Sequence, residues 1–315
     1  MLTGASGRCR RHRGAVSTGP RKIRRCPAVT VLNIALLLAA MARFQRARLI
    51  LDLVRTTREV KTMNPLLLIP GIGMMAIALA TVIYWKAHSK VALSFFLWGA
   101  AAWIVGVALK LIAAIPSPQI ITGSRELLPR YLSEPVLWLY MGLLTGIFEC
   151  GIALVFASRV KKIRQADWKE AAGFGFGFGA VEALLLGLGQ LGLALLATLA
   201  PDRLPPTLLE IPASAMEAIL GVSAPIVERT IFIIIHAFSC LLIVYAVQTK
   251  EWKWFWAAFL YKTVVDGIAG FAQITYGVEN LTIIGIWLLE IACLLFGIVG
   301  AWGLWVFRRR WRKEE

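Results

Sequence analysis

The sequence predicts an all-α, polytopic integral membrane bundle of about seven membrane-spanning helices, and three observations predict it. Of the 315 residues, 58% are hydrophobic and only 17% are charged. The mean hydropathy of +0.71 exceeds what the surface of a water-soluble domain tolerates. The apolar residues also fall in unbroken runs of about 20, the length a helix needs to cross roughly 30 Å of hydrocarbon. Finally, Lys and Arg concentrate on alternate loops, as expected of a chain threaded back and forth through a bilayer.

Seven apolar segments follow Met63. Residues 65–85 close on Tyr84, Trp85 and Lys86, with Lys90 beyond. Residues 91–115 lead to a loop holding Arg125 and Arg130. Residues 135–158 carry Glu149 and are followed by Arg159, Lys161, Lys162, Arg164 and Lys169. Residues 171–199 open in a glycine run, carry Glu182 and are followed by Arg203. Residues 224–247 carry Glu228, Arg229 and His236, with Lys250 and Lys253 after them. Residues 252–274 carry Lys262 and Asp266, and the next loop has no basic residue. Residues 281–306 carry Glu290 and end in Arg308, Arg309, Arg310, Arg312 and Lys313. One set of loops thus holds 14 basic residues and the other 3. This bias predicts a non-cytoplasmic N-terminus and a cytoplasmic C-terminus. Trp85, Trp168, Trp252, Trp254, Trp305 and Trp311 lie near the proposed helix ends, where interfacial anchors belong.

The formal net charge of +16 does not indicate a nucleic-acid partner, because its excess sits in one place. Residues 1–62 hold 14 Lys/Arg against Asp52 and Glu59, whereas the rest of the chain is nearly balanced. The expected division is a basic N-terminal extension over 1–62 and a membrane domain over 63–315. We expect Met63 to be the biological start, with the upstream stretch an over-extended reading. The alternatives are a signal-like segment built on Arg21–Arg25 and Val29–Ala42, or a basic tail. None of these is a folded domain. The five cysteines form no CxxC pair, and three lie in apolar segments, where a cysteine is a small hydrophobe. P-loop, GxSxG and HExxH signatures are absent, and the GFGFG run follows no strand, so it is no dinucleotide fingerprint.

Charged side chains at mid-membrane depth cost roughly 2.5–3.5 kcal/mol each on insertion scales, so those that persist are paired or put to use. Glu149, Glu182, His236, Lys262 and Asp266 all lie about 8 to 15 residues into their segments and can meet in one layer. Gly173 and Gly177, and again Gly175 and Gly179, are spaced four apart, which lets another helix approach and cover Glu182. Arg229 and His236 are seven apart and nearly share a face, while Glu228 is turned away. Lys262 and Asp266 are four apart and can pair within their helix.

From Met63 onward the chain resembles the YhfC-type membrane proteins, regarded as intramembrane metalloproteases akin to the PrsW and CAAX-processing groups. The resemblance rests on GFGFGFGAVEA around Glu182, ERTIFIIIHAFS from Glu228 to Ser239 and GIFECG around Glu149. It implies a multi-pass protein of the plasma membrane that cleaves a membrane-embedded or membrane-proximal peptide. It also implies a metal, zinc by donor type, held by His236, Glu182 and Asp266, with Glu149, Glu182, Glu228 and Arg229 in the catalytic set. Three positions depart from the family pattern: Cys150 stands for the second glutamate of EExxR, Ala153 for its arginine, and Lys262 for the histidine of HxxxD. Those departures open a second reading, a non-hydrolysing relative that binds a peptide, lipid or small ligand. A third, a proton-coupled carrier, lacks any internal repeat to support it.

Overall fold

The computed structural model describes residues 65–204, 214–277 and 280–311, and every regular element among them is helical. The expectations for residues 1–62 lie outside the described residues. A 3-10 turn, Pro65–Leu68, enters α1 (Ile69–Ser89), followed by α2 (Leu93–Ala113), the short α3 (Ser117–Leu127) and α4 (Arg130–Thr145). A π-helical turn, Gly146–Cys150, joins α4 to α5 (Gly151–Arg159), so that one continuous rod spans Arg130–Arg159. After α6 (Lys161–Arg164) come α7 (Trp168–Leu199), α8 (Ala215–Thr249), α9 (Lys253–Phe271) with a second π turn at Ala272–Tyr276, and α10 (Ile283–Trp311).

Among the described residues, six helices are long and apolar enough to cross a membrane: Leu66–Ser89, Leu93–Ala113, Arg130–Arg159, Trp168–Leu199, Ala215–Thr249 and Ile283–Trp311. The expected 252–274 segment does form a helix, α9, but it falls outside this set. Within 19 residues it holds Lys253, Lys262 and Asp266, and these polar groups dilute its hydropathy. Helix α9 is held by neighbours instead, packing along α4 and against α8.

Helix α8 is the axis of the bundle. Its most apolar window is 83% buried, against 17 to 39% for the other five spans, and it packs against α7, α10, α9 and α1. The lipid-facing surfaces of the others explain why apolar residues such as Ile83, Leu111, Leu195 and Leu295 stand exposed. Helix α7 fits closely on two sides because its glycines alternate. A Cβ on Gly173 would lie 3.0 Å from Val91, just ahead of α2, and one on Gly179 would lie 2.9 Å from Ile233 Cα and 3.2 Å from His236 Cβ on α8. The helix begins on a capping box: Asp167 accepts from the Lys169 and Glu170 amides at 2.8 Å, and Glu170 accepts from the Asp167 amide at 3.0 Å.

The basic loops gather at one end. Trp85 donates to the Lys169 carbonyl (3.0 Å), Arg308 lies over Trp168, and Arg310 donates to Tyr245 (2.7 Å) beside Trp254. Tyr245 and Trp254 in turn stack edge-on against Phe307.

Candidate functional site

The ionisable residues inside the bundle assemble as two joined groups. The first centres on Glu182 of α7. One carboxylate oxygen takes the Arg229 guanidinium, and the other lies 2.6 Å from His236 Nε2 and accepts from Trp103 of α2 at 3.2 Å. Arg229 and His236 both reach this carboxylate because seven residues of α8 bring them back to nearly the same face. Arg229 also donates to Glu228, its neighbour in sequence, whose side chain is about 35% exposed. His236 is buried, packed against Phe178 with ring centroids 5.0 Å apart.

The second group centres on Glu149, which sits in the π turn of the Arg130–Arg159 rod. A π turn admits one extra residue into the helical ladder and re-aims the side chains on it. Gly142 and Gly146, just before Glu149 on this rod, lie so close to Thr263 of α9 that a Cβ at either would collide with it. Glu149 is thereby held against Lys262, whose Nζ lies 3.2 Å from Glu149 Oε2 and 3.7 Å from Asp266 Oδ2. Lys110 of α2 closes on the other Glu149 oxygen. Lys262 is 98% buried, whereas the Lys110 side chain is a quarter exposed.

The two groups share a cavity of about 10 Å³, lined by Glu149, His236 and Lys262 together with Cys150, Ser239 and Cys240. That is close to the space one water needs. Glu149 Oε2 lies 3.2 Å from Lys262 Nζ and His236 Nε2 lies 2.6 Å from Glu182, in both cases without the angles of a hydrogen bond.

All six site residues read from the sequence therefore lie in or beside the cluster. Two further members were missed. Lys110 lies within the second apolar segment and was open to the same rule that singled out Lys262. Trp103 carries no charge and had no signal as a partner for Glu182. Glu290 is buried on α10 with Oε2 lacking a hydrogen-bond partner.

The arrangement does not fit a metal ion. Among the described residues no three of His, Cys, Asp and Glu come together in a way that could hold one. Two ligands on a tetrahedral ion with bonds of about 2.0–2.1 Å stand about 3.3 Å apart, whereas Glu182 and His236 touch directly at 2.6 Å. Asp266 is turned to Lys262. Three cations, Lys110, Arg229 and Lys262, are interleaved with Glu149, Glu182, Glu228 and Asp266, so the carboxylates are already nearly compensated. A buried charge set is stable only when so paired.

Against known proteins, the family model described as YhfC intramembrane metalloprotease matches residues 73–288. No curated protein and no solved structure matches the chain.

Proposed function

The chain belongs to the YhfC intramembrane metalloprotease family, and from that premise we propose that it engages a membrane-embedded or membrane-proximal peptide at the buried cluster without metal-dependent hydrolysis. The observation that carries this reading is the seat of Lys262. Its ammonium lies 3.2 Å from Glu149 and 3.7 Å from Asp266, occupying carboxylates that a divalent cation would require. A peptide unwound inside lipid has backbone groups with no water to bond to. Glu149 and His236 border the one-water cavity at that depth, and each has a buried polar atom without a hydrogen bond that a peptide group taking the place of that water would meet. The protein is a multi-span membrane protein in a lipid environment; we place it in the plasma membrane.

A second reading, a metal-dependent peptidase using zinc, is supported by the family match and by one contact: Glu182 and His236, two of the three expected ligands, do meet. Elemental mass spectrometry of the detergent-purified chain separates the two. We expect far less than one equivalent of zinc in the parent, unchanged in His236→Ala and Asp266→Ala. Lys262→His, which removes the competing cation and adds an imidazole, should retain more metal than the parent. Near-stoichiometric zinc in the parent that falls in both alanine variants would instead establish the peptidase reading.

A further inference from the structure

At the end of the bundle opposite the basic loops, the start of α4 and the π turn after α9 border an open pocket of about 550 Å³ with a mixed polar and apolar lining. Arg125, Arg130, Glu134, Gln273, Thr275 and Tyr276 line it. It lies at the first turn of the Arg130–Arg159 span, the level where hydrocarbon gives way to headgroups. The residues around it suit that level: Leu127 is 84% exposed and Tyr131 76%, and α3 carries Ile120 and Ile121 alongside Ser124 and Arg125.

The charges of the pocket favour an anion. Arg125 donates to the Ile274 carbonyl at 2.7 Å and forms no ion pair with a carboxylate among the described residues. Arg130 gives its Nε to Glu134, and that carboxylate also accepts from Thr275 at 3.1 Å. Each guanidinium has five N–H donors, so both keep paired donors of the kind that grip a phosphate bidentately.

Two largely apolar clefts adjoin this pocket. Tyr276 also lines a groove of about 540 Å³ between the end of α9 and the start of α10, where Phe271, Leu281 and Leu288 face each other and the two helices barely touch. Arg125, Gln273 and Ile274 also line a cleft of about 420 Å³ that includes Ala114, Ile121 and Met141. An open pocket with two arginines and an apolar limb on either side is the outline of a diacyl lipid. Scattered lipid contact along a helix would not converge on one basic pocket.

We propose that this end of the bundle binds one phospholipid with an anionic headgroup, its phosphate on Arg125 and Arg130 and its two acyl chains in the flanking clefts. Basic pockets between membrane helices hold such headgroups by charge and hydrogen bonding. The site shares no residue with the Glu149 and Glu182 cluster and is independent of the peptide reading.

The test is the shift in unfolding temperature of the purified full chain with added phosphatidylglycerol, phosphatidylcholine or glycerol phosphate. Phosphatidylglycerol should stabilise at concentrations at least tenfold lower than phosphatidylcholine, and glycerol phosphate should give no shift. Arg125→Gln, which removes a hydrogen bond to the Ile274 carbonyl and no ion pair among the described residues, should lose most of the preference while folding normally. Arg125→Gln/Arg130→Gln should abolish it, and Lys86→Gln/Lys90→Gln at the other end should keep it. Ala292→Phe, which fills the groove between α9 and α10, should weaken both lipids. Equal stabilisation by the two lipids, or an unaltered preference in Arg125→Gln, would overturn headgroup recognition. A full shift with glycerol phosphate would reassign the pocket to a soluble phosphate.

Discussion

At the scale of single residues, Lys262 decides most. Removing one partner from a buried pair leaves the other charge uncompensated, at a cost of about 3–5 kcal/mol. Lys262→Met should therefore lower stability by that order in detergent thermal unfolding. Lys110→Met should cost clearly less, because Lys110 is a quarter exposed and water can reach Glu149 in its place. Pairing the change with the residue it strands, as in Glu149→Gln/Lys262→Met, should recover part of the loss; strict additivity would mean the two do not interact. The sequence made these charges legible because a charge in an apolar run stands out. Their wiring was less legible. The spacing of four between Lys262 and Asp266 suggested an intrahelical pair, and the structure has it at 3.7 Å, yet the closer contact is to Glu149 on another helix. Nothing in the local sequence of α9 specifies that partner.

At the scale of elements, α7 shows how a helix rich in a poor helix former can be a sound packing unit. Gly179→Ala would drive a methyl to within 2.9 Å of the α8 backbone and 3.2 Å of His236. We expect a loss of about 1–3 kcal/mol, as for overpacking elsewhere. Gly189, on the same helix, has nothing within 4 Å of an added Cβ. Gly189→Ala should be neutral or stabilise by up to about 1 kcal/mol, and a similar loss at both sites would refute the packing account. The spacing of four made the glycine faces readable in advance. Helix α3 was not readable: Pro116, Pro118 and Gly123 mark that stretch as a loop, and its mixed polarity makes sense only at an interface.

At the scale of the molecule, the alternation of basic loops foretold which ends come together, and Trp85, Trp168 and Trp254 do sit with the Arg308–Arg310 run. Which side of the membrane that end faces is open to test: cysteines placed at Lys90, Lys161 and Lys250 should all be labelled from the cytoplasmic side, and one at Gly123 from the other. The same end carries a small pH dependence. Glu251 accepts from Trp254 Nε1 at 2.7 Å and lies 3.1 Å from Lys253, and these contacts hold its carboxyl below the ordinary range. A carboxyl lowered on folding stabilises above its unfolded value, about 4.3, and the gain is lost as pH falls through the lower folded value. Thermal scans between pH 6 and 3 should show that acid-side loss shrink in Glu251→Gln.

The π turn at Gly146–Cys150 has an evolutionary corollary. An extra residue looped into a rod that otherwise repeats every 3.6 positions is a reversible insertion. Deleting Ile147, which is 53% exposed, would let the ladder close into plain α-helix without shortening the span below bilayer thickness. The wider turn absorbs the extra residue, so the segments on either side would keep nearly their present faces and only the side chains within the turn would be re-aimed, carrying Glu149 off Lys262 while α4 kept its seat on α9. A lineage could thus connect or disconnect this carboxylate by gaining or losing a single codon.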